Sequence, residues 1–423
     1  MTLPDRLAGD AARLRRRQAA AITALVDRGY EEVAVPMLEH ADVFCTTDSL
    51  RFVDRRGHVV GLRADFTGPL ARVVATRLAD VPNVRLCYRG TTFRDSRRAE
   101  VQQAGFELFG DGSLAEDIET IRTAVEVART LGYDPVVSVG AVGQQERLPA
   151  ILAALGDEVA IRRDAGEVPT FDYYSGVVFG LYAPGVPGRL GGGGRYDTLV
   201  GRFGTGRPAI GASFDLDAPD QRARRRLTVA FPKGRLMKPL LERLGADAPR
   251  VEGRELRVEG PAFDALLVKN PDIPTYVESG AADVGIVGLD QTREQDRNVL
   301  RVGDTGLGRC RMSLCGLPGT DLGACMRRGR LKVASKYPQV ASRALKGRGV
   351  VADIIPLQGS VELAVVAKLA DAIVDLVETG ATLRANGLVE LETLFESSAV
   401  VIVNPASWRL RTDDVKTLVR SLT

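Results

Sequence analysis

Near its C-terminal end the chain leaves an apolar run, Ala372-Ile373-Val374-Asp375-Leu376-Val377, and turns into Glu378-Thr379-Gly380-Ala381-Thr382. Backbone amides at such a turn point outward and attract an anion. Gly380 permits the unusual backbone angle and a close approach of phosphate. Thr379 and Thr382 add hydroxyl donors, and Asp375 and Glu378 stand where carboxylates meet ribose hydroxyls or a phosphate-bound Mg²⁺. A tight strand-to-helix turn with capping threonines explains the same residues equally well. A second candidate is Lys233-Gly234-Arg235 in "FPKGRL". Cations at the end of a strand suit phosphates, and arginine suits bidentate contact; a basic surface turn is the plainer explanation. In "NPDIPTYVESG", Asp272, Tyr276 and Glu278 lie on a proline-started helix ending at Gly280, where surface roles serve as well. With 2 histidines, His40 and His58, in the whole chain, a histidine metal site or a Ser-His-Asp triad is excluded as the leading chemistry.

The elements that must position these groups fall into two patterns. Of the 423 residues, 45% are hydrophobic and 26% charged, and the formal net charge is +3. This is an ordinary globular composition without the charge bias of a nucleic-acid or membrane partner. No apolar run is long enough to span a bilayer, and the N-terminus lacks a signal-like apolar core, which points to the cytoplasm. The 5 cysteines (Cys45, Cys87, Cys310, Cys315, Cys325) follow no metal spacing and are expected as mostly buried free thiols. A polar seam with an arginine run at Arg222 and Arg224 to Arg226 sets a boundary, giving domains 1–225 and 226–423. Before it, a helix over 10–28 ended by Gly29 is followed by one strand over "YEEVAVPMLEH". Strands in hairpin succession follow, with helices at 69–79, 114–131 and about 144–155 and a glycine cluster "GRLGGGGRYDTLV". The pattern is α+β, an antiparallel sheet flanked by helices.

After the seam, short strands alternate with helices in the α/β manner. A repeat is visible: "LTVAFPKG" (227–234) resembles "LKVASKYP" (331–338), carrying Lys233 and Lys336, and "ESGAADVGIVGLD" resembles "AKLADAIVDLVETG". Two lobes built alike, with loops at the carboxyl ends of their strands, predict a cleft between them.

From Leu227 onward, "AFPKGRL", "DIPTYVESGAADVGIVG", "VASKYP", "LQGSVELA", "LADAIVDLVETGATLRANGL" and "ESSAVVIVNP" closely resemble short-form ATP phosphoribosyltransferase, the first enzyme of histidine biosynthesis. The resemblance implies an α/β two-lobed, periplasmic-binding-protein-like domain, with lobe I over 227–306 plus 389–423 and lobe II over 307–388. It implies that Asp371, Asp375, Glu378, Thr379, Gly380, Ala381, Thr382 and Leu383 bind phosphoribosyl pyrophosphate. The ATP and phosphate site would comprise Lys233, Gly234, Arg235, Lys269, Asp272, Tyr276, Glu278 and Lys336. Mg²⁺ would come with substrate phosphates rather than sit in a preformed protein site. Adenine N1 needs no base to displace pyrophosphate from the ribose, so positioning and charge suffice. Three residues depart from the family pattern: Lys269 where arginine is usual, Leu289 where lysine is common, and Lys368 where glycine is usual.

Residues 1 to about 217 resemble a class II aminoacyl-tRNA synthetase core of the histidyl type. The carriers are "GYEEVAVPMLE", with Pro36 in the dimer-forming strand, "CYRGTTFRDS" running into "VQQAGFELFG", and "FDYYSGVVFG" with "GGGGRYDTLVG". This implies a histidine pocket of Asp65, Arg94, Gln103, Glu107, Asp172, Tyr173 and Tyr174. The third motif reads "IGASFDLDAPD" without the arginine a synthetase uses for ATP, and no anticodon-binding domain follows. The expectation is therefore a fusion: a synthetase-like regulatory half that senses histidine, a catalytic half, and a dimer-based homo-oligomer. The alternative is a small-anion-binding sensor whose synthetase-like half serves dimerisation.

Overall fold

The computed structural model describes residues 5–44, 49–94, 99–167, 172–221, 226–251, 255–327 and 330–423. Cys45, residues 95–98 of the second synthetase-like motif, Phe171 and the linker residues 222–225 lie outside them. The chain divides into two compact units, Met1–Arg224 and Arg225–Thr423. None of the described helices is long and apolar enough to cross a membrane.

In the first unit, helix Ala8–Val26 buries Arg17, Ala21, Ile22 and Leu25, a spacing that makes one face. Gly29, at φ +81°, ends the turn that follows. The helix packs with Leu114–Thr130 on an eight-stranded sheet. The strand order is Glu31–Glu32, Val84–Phe93, Glu100–Phe109, Ala209–Asp215, Gly191–Arg195, Val177–Tyr182, Val136–Ala141, Ala160–Arg163. The pairs at the two edges are parallel and the inner ones antiparallel.

One expectation changes here, and one unassigned segment gains an element. The single strand over "YEEVAVPMLEH" is broken: Glu31–Glu32 joins the large sheet, whereas Leu38–His40 pairs in a separate three-stranded sheet. Pro36 lies between them, where the missing N–H cannot continue a ladder. The glycine cluster is an inner strand. A Cβ on Gly193 would stand 1.8 Å from Gly211 O, and one on Gly194 2.5 Å from Val177 O, so neighbouring backbones occupy the space a side chain would need. That strand ends in Arg195, fully buried, whose guanidinium meets Asp117 at 2.7 Å and Asp197 at 3.1 Å. Asp117 also takes Arg147 at 2.8 Å. The network pins the start of helix Leu114–Thr130 to the sheet, and removing one partner would strand a buried charge.

The second unit holds two sheets of matching design. In one, Thr228–Pro232 runs parallel to Asp264–Val268 and Val284–Gly288, and Ala399–Val403 pairs antiparallel with Val284–Gly288. In the other, Leu331–Ser335 runs parallel to Ala352–Pro356 and Ala372–Val377, and Cys310–Gly316 pairs antiparallel with Ala372–Val377. The repeat extends to single hydrogen bonds. Asp283 Oδ2 accepts Thr228 N–H at 2.8 Å in the first lobe, and Asp371 Oδ2 accepts Lys332 N–H at 2.9 Å in the second.

The expected lobe boundary at 388/389 is corrected. Val389–Ser397 pairs along Cys310–Gly316 and so belongs to lobe II. The chain returns to lobe I at Ser398, after the hydrogen-bonded partner strand is complete. The two crossings are tied together: Thr305 Oγ1 donates to Ala399 O at 2.7 Å, and Ala399 N–H donates to Leu307 O at 2.9 Å.

Lys368 shows why a glycine is usual at its position. Helix Glu362–Val366 ends with Lys368 N–H on Val365 O at 3.0 Å and Leu369 N–H on Ala364 O at 2.8 Å. This is a Schellman end, and Lys368 takes the left-handed position at φ +58°. A lysine there costs about 1 kcal/mol more than glycine, partly offset by the freedom glycine has when unfolded. Lys368→Gly is expected to raise the melting temperature of the second unit by about 2 °C, read by calorimetry on the full chain.

Candidate functional site

The acid-flanked loop of lobe II forms as its residue types require. Gly380 sits at φ +70°, and helix Ala381–Ala385 starts immediately after it. Thr379 Oγ1 accepts Ala381 N–H at 3.4 Å, and Arg384 Nη1 donates to Thr379 O at 3.1 Å. Glu378, Thr379, Ala381 and Thr382 are exposed. Leu383 is not: it packs with Ile373, Val377 and Leu388 and anchors the loop from below. Asp375 is half-buried, its Oδ1 accepts Leu376 N–H at 2.9 Å, and burial holds its carboxyl above the usual range while Lys336 pulls it down.

Lobe I supplies the opposing loop. Gly234 adopts φ +108°, a conformation that favours glycine. It turns the chain so that Arg235 forms an ion pair with Glu378 of the other lobe. Two loops singled out for chemistry thus meet across one cleft. The cleft encloses about 630 Å³ and is lined by Lys233, Arg235, Asn270, Asp290, Cys310, Tyr337 and Ser397, among others. The strand ends place them there. Lys233 and Arg235 follow Thr228–Pro232, Asp290 follows Val284–Gly288, and Tyr337 follows Leu331–Ser335.

Not every predicted residue joins them. Lys336 is exposed beside Tyr337. Lys269 and Asp272 are exposed on either side of the turn that carries Asn270. Tyr276 and Glu278 lie further along helix Ile273–Glu278, and the Glu278 carboxylate is engaged by Arg297 at 2.7 Å and Asn298 N–H at 2.8 Å. Asp371 sits at the opposite end of strand Ala372–Val377 from the loop, roughly 20 Å from Glu378 at strand rise. Its carboxylate holds the Lys332 amide, so its place in the ligand loop is corrected to a strand-start tie. The signal was available in the repeat, since Asp283 occupies the matching position far from any phosphate loop.

Sequence reasoning missed Asp290, which is 3% exposed. Its Oδ1 accepts Ser397 Oγ–H at 3.3 Å, its Oδ2 accepts Gln291 Nε2–H at 3.1 Å, and the Tyr337 hydroxyl bonds to it from lobe II. Burial holds its carboxyl above the usual range. A second link between the lobes comes from Glu294, which accepts Gln339 N–H at 3.1 Å and Val340 N–H at 2.9 Å. It thereby caps helix Pro338–Lys346 from the other lobe. Burial raises the Cys310 thiol and pushes Cys315 up to about 12, so neither is a ready nucleophile.

The first unit has its own pocket, about 330 Å³, lined by Asp65, Arg94, Gln103, Glu107, Tyr173 and Tyr174 together with Thr67, Tyr88, Tyr196 and Gly211. Asp172 is exposed and outside the lining. Glu107 is the buried floor. Its carboxyl bonds to Thr67 Oγ1 at 2.8 Å, Tyr88 OH at 3.4 Å and Tyr196 OH. Gly211 makes the room, because a Cβ there would stand 1.6 Å from Glu107 Oε2. Asp65 is 3% exposed and its Oδ1 accepts Gly68 N–H at 2.9 Å. Phe66 stacks on Tyr88 at 4.1 Å, with the Arg63 guanidinium 3.9 Å over its ring.

Residues 269–423 match the ATP phosphoribosyltransferase family, and residues 2–144 and 138–218 match the histidyl-tRNA synthetase family. The ATP phosphoribosyltransferase of Thermus thermophilus is 44% identical over 201 residues, covering 46% of this chain and 95% of that protein. That of Sorangium cellulosum is also 44% identical, covering 46% of this chain and 94% of its own length. The chain belongs to the ATP phosphoribosyltransferase family through its C-terminal half and to the histidyl-tRNA synthetase family through its N-terminal half. A solved ATP phosphoribosyl transferase (HisG:HisZ) complex from Thermotoga maritima is 34% identical over 46% of this chain and 96% of its own, with a TM-score of 0.42.

Within the ATP phosphoribosyltransferase half, Leu289 has a packing explanation. It lies against the lobe I cluster of Ile273, Val277 and Val287, where it adds apolar contact in place of a charge. In the synthetase-like half, the first unit is class II synthetase-like, and its buried pocket carries a titration signature. Burial raises the Glu107 carboxyl from 4.5 to about 8. Between those values the folded chain holds a proton that the unfolded chain has lost, so stability falls as pH rises through that window. Glu107→Gln is expected to flatten this slope, read as urea midpoint against pH from 5 to about 8; an unchanged slope would assign the effect elsewhere.

Proposed function

We propose that the cleft between the two lobes binds ATP and Mg²⁺-chelated phosphoribosyl pyrophosphate and joins them. Adenine N1 attacks the anomeric carbon, pyrophosphate leaves, and N1-(5-phosphoribosyl)-ATP forms as the first step of histidine biosynthesis. The observation that carries this reading is the meeting of the Lys233–Arg235 loop with the Glu378–Thr382 loop, held by the Arg235–Glu378 ion pair. Both substrates are polyanions, and each loop meets a different part of them. Exposed amides and hydroxyls at Thr379, Ala381 and Thr382 suit the 5′-phosphate, with Glu378 and Asp375 beside the ribose hydroxyls. Lys233, Arg235 and Lys336 suit the remaining phosphates and the leaving pyrophosphate. Lys269 and Asp272 lie at the rim by Asn270, where they bear on the ATP chain. Mg²⁺ enters as part of the substrate, because it keeps waters and phosphate oxygens and needs little from the protein. Phosphate competes with Glu378 for Arg235, so substrate arrival exchanges one charge partner for another.

In this reading the catalytic unit is two-lobed in the periplasmic-binding-protein manner, closing about the crossings at 305–309 and 398. The first unit senses histidine. Its pocket offers Asp65 for an ammonium, Arg94 for a carboxylate, and Glu107 with its tyrosines for an imidazole. Burial keeps the Tyr173 and Tyr174 hydroxyls protonated, so both can donate. The working form is a cytoplasmic, dimer-based homo-oligomer. The competing reading is a small-anion sensor without catalysis, and its support is Leu289, where the catalytic family commonly has a lysine.

One assay separates the two. ATP, phosphoribosyl pyrophosphate and Mg²⁺ with the full chain should give the adduct by its ultraviolet absorbance; folded protein without product leaves the sensor. Thr382→Ala, exposed and outside the core, should raise the KM for phosphoribosyl pyrophosphate about tenfold through one lost hydrogen bond, with melting unchanged. Histidine should slow the full chain in the same assay, and Arg94→Ala should shift its half-effect concentration upward about tenfold.

A further inference from the structure

The cleft separates its charges. Lys233 and Arg235 are exposed at its mouth, whereas Asp290 is 3% exposed within it. The partners of the Asp290 carboxylate are Ser397, Gln291 and Tyr337, all neutral, and among the described residues it forms no ion pair. Asp375 of lobe II and Asp290 repel each other electrostatically, which adds negative potential. A buried carboxylate with no counter-cation is unfavourable until something positive arrives. The phosphates of both substrates bring the wrong sign, and the adenine ring brings the right one. When N1 bonds to the anomeric carbon, the carbon–oxygen bond to pyrophosphate breaks and its electron pair leaves with pyrophosphate. The ring is then cationic over N1, C6 and N6, and its N6 hydrogens become stronger donors.

We propose that Asp290 accepts a hydrogen bond from the adenine N6 amino group and stabilises this ring cation as it forms, which makes it a catalytic residue. Ser397 and Tyr337 are positioning residues that hold its carboxylate, both from lobe II. The inference rests on the cleft being the ATP site. It asks for no proton transfer during the step; N6 keeps both hydrogens until product leaves. It also gives the cleft a reason to prefer the transition state over ATP, because the charge it recognises is absent from the ground state.

Calorimetric titration of the full chain with AMP and with 1-methyl-AMP, whose ring is cationic at neutral pH, tests the charge preference directly. The wild type should bind 1-methyl-AMP at least tenfold more tightly than AMP. Asp290→Asn keeps the shape and the Ser397 contact, and should bring the two affinities within threefold while leaving that for AMP within threefold. In turnover the same variant should lose about a hundredfold in kcat with the KM for phosphoribosyl pyrophosphate unchanged, a split that a merely structural acid would not produce. A wild type without preference for the cationic ring overturns the proposal, as does an Asp290→Asn protein that keeps the preference or the turnover. A wild type that makes the adduct but shows no such preference sinks the inference alone; one that binds no AMP and makes no adduct sinks the ATP reading with it.

Discussion

The catalytic half depends on contacts that cross from one lobe to the other. Two short crossings carry the chain between the lobes, and their mutual hydrogen bonds at Thr305, Leu307 and Ala399 make them one joint. Beyond that joint the lobes meet mainly through polar and charged groups: Arg235 with Glu378, Glu294 with two amides of helix Pro338–Lys346, Arg293 4.0 Å over the Phe395 ring, and Asp290 with Tyr337. Contacts of this kind are weak one by one and exchange readily with water or ligand. Each lobe instead keeps its own apolar core.

The two glycine loops were legible because their conformation is local. Glycine at φ +70° in Gly380 and at φ +108° in Gly234, each beside charged or hydroxyl residues, leaves a mark that a few consecutive letters record. The lobe repeat was legible for a similar reason, and it ran deeper than its letters showed, since Asp283 and Asp371 tie equivalent amides. Asp290 was not legible. Its meaning comes from Ser397, 107 positions away, and from a tyrosine of the other lobe. The course of Val389–Ser397 was hidden too, because a strand's sequence does not say which sheet will accept it.

The synthetase-like half repeats the lesson with buried charge. Arg195 stood at the end of a glycine cluster to which the sequence reading gave no structure, yet it closes a network with Asp117, Asp197 and Arg147 inside the unit. Glycines packed against neighbouring backbone, and an arginine that needs every donor satisfied, identify an inner strand only after its neighbours are known. Glu107 was named from its motif, but its enclosure by Thr67, Tyr88, Tyr196 and the bare Gly211 is a tertiary fact.

The end of the first unit is fastened with care. Arg17 donates to Leu216 O at 3.0 Å and pairs with Asp220 at 2.6 Å, Tyr133 OH donates to Pro219 O at 3.1 Å, and Arg6 holds Asp217 at 3.0 Å. The strand just before this clamp, Ala209–Asp215, carries Gly211 in the pocket wall. A regulator made as a separate chain is lost by dilution, at a concentration set by its affinity. Here the two halves are made in equal number by a single translation event and stay together however dilute the cell becomes.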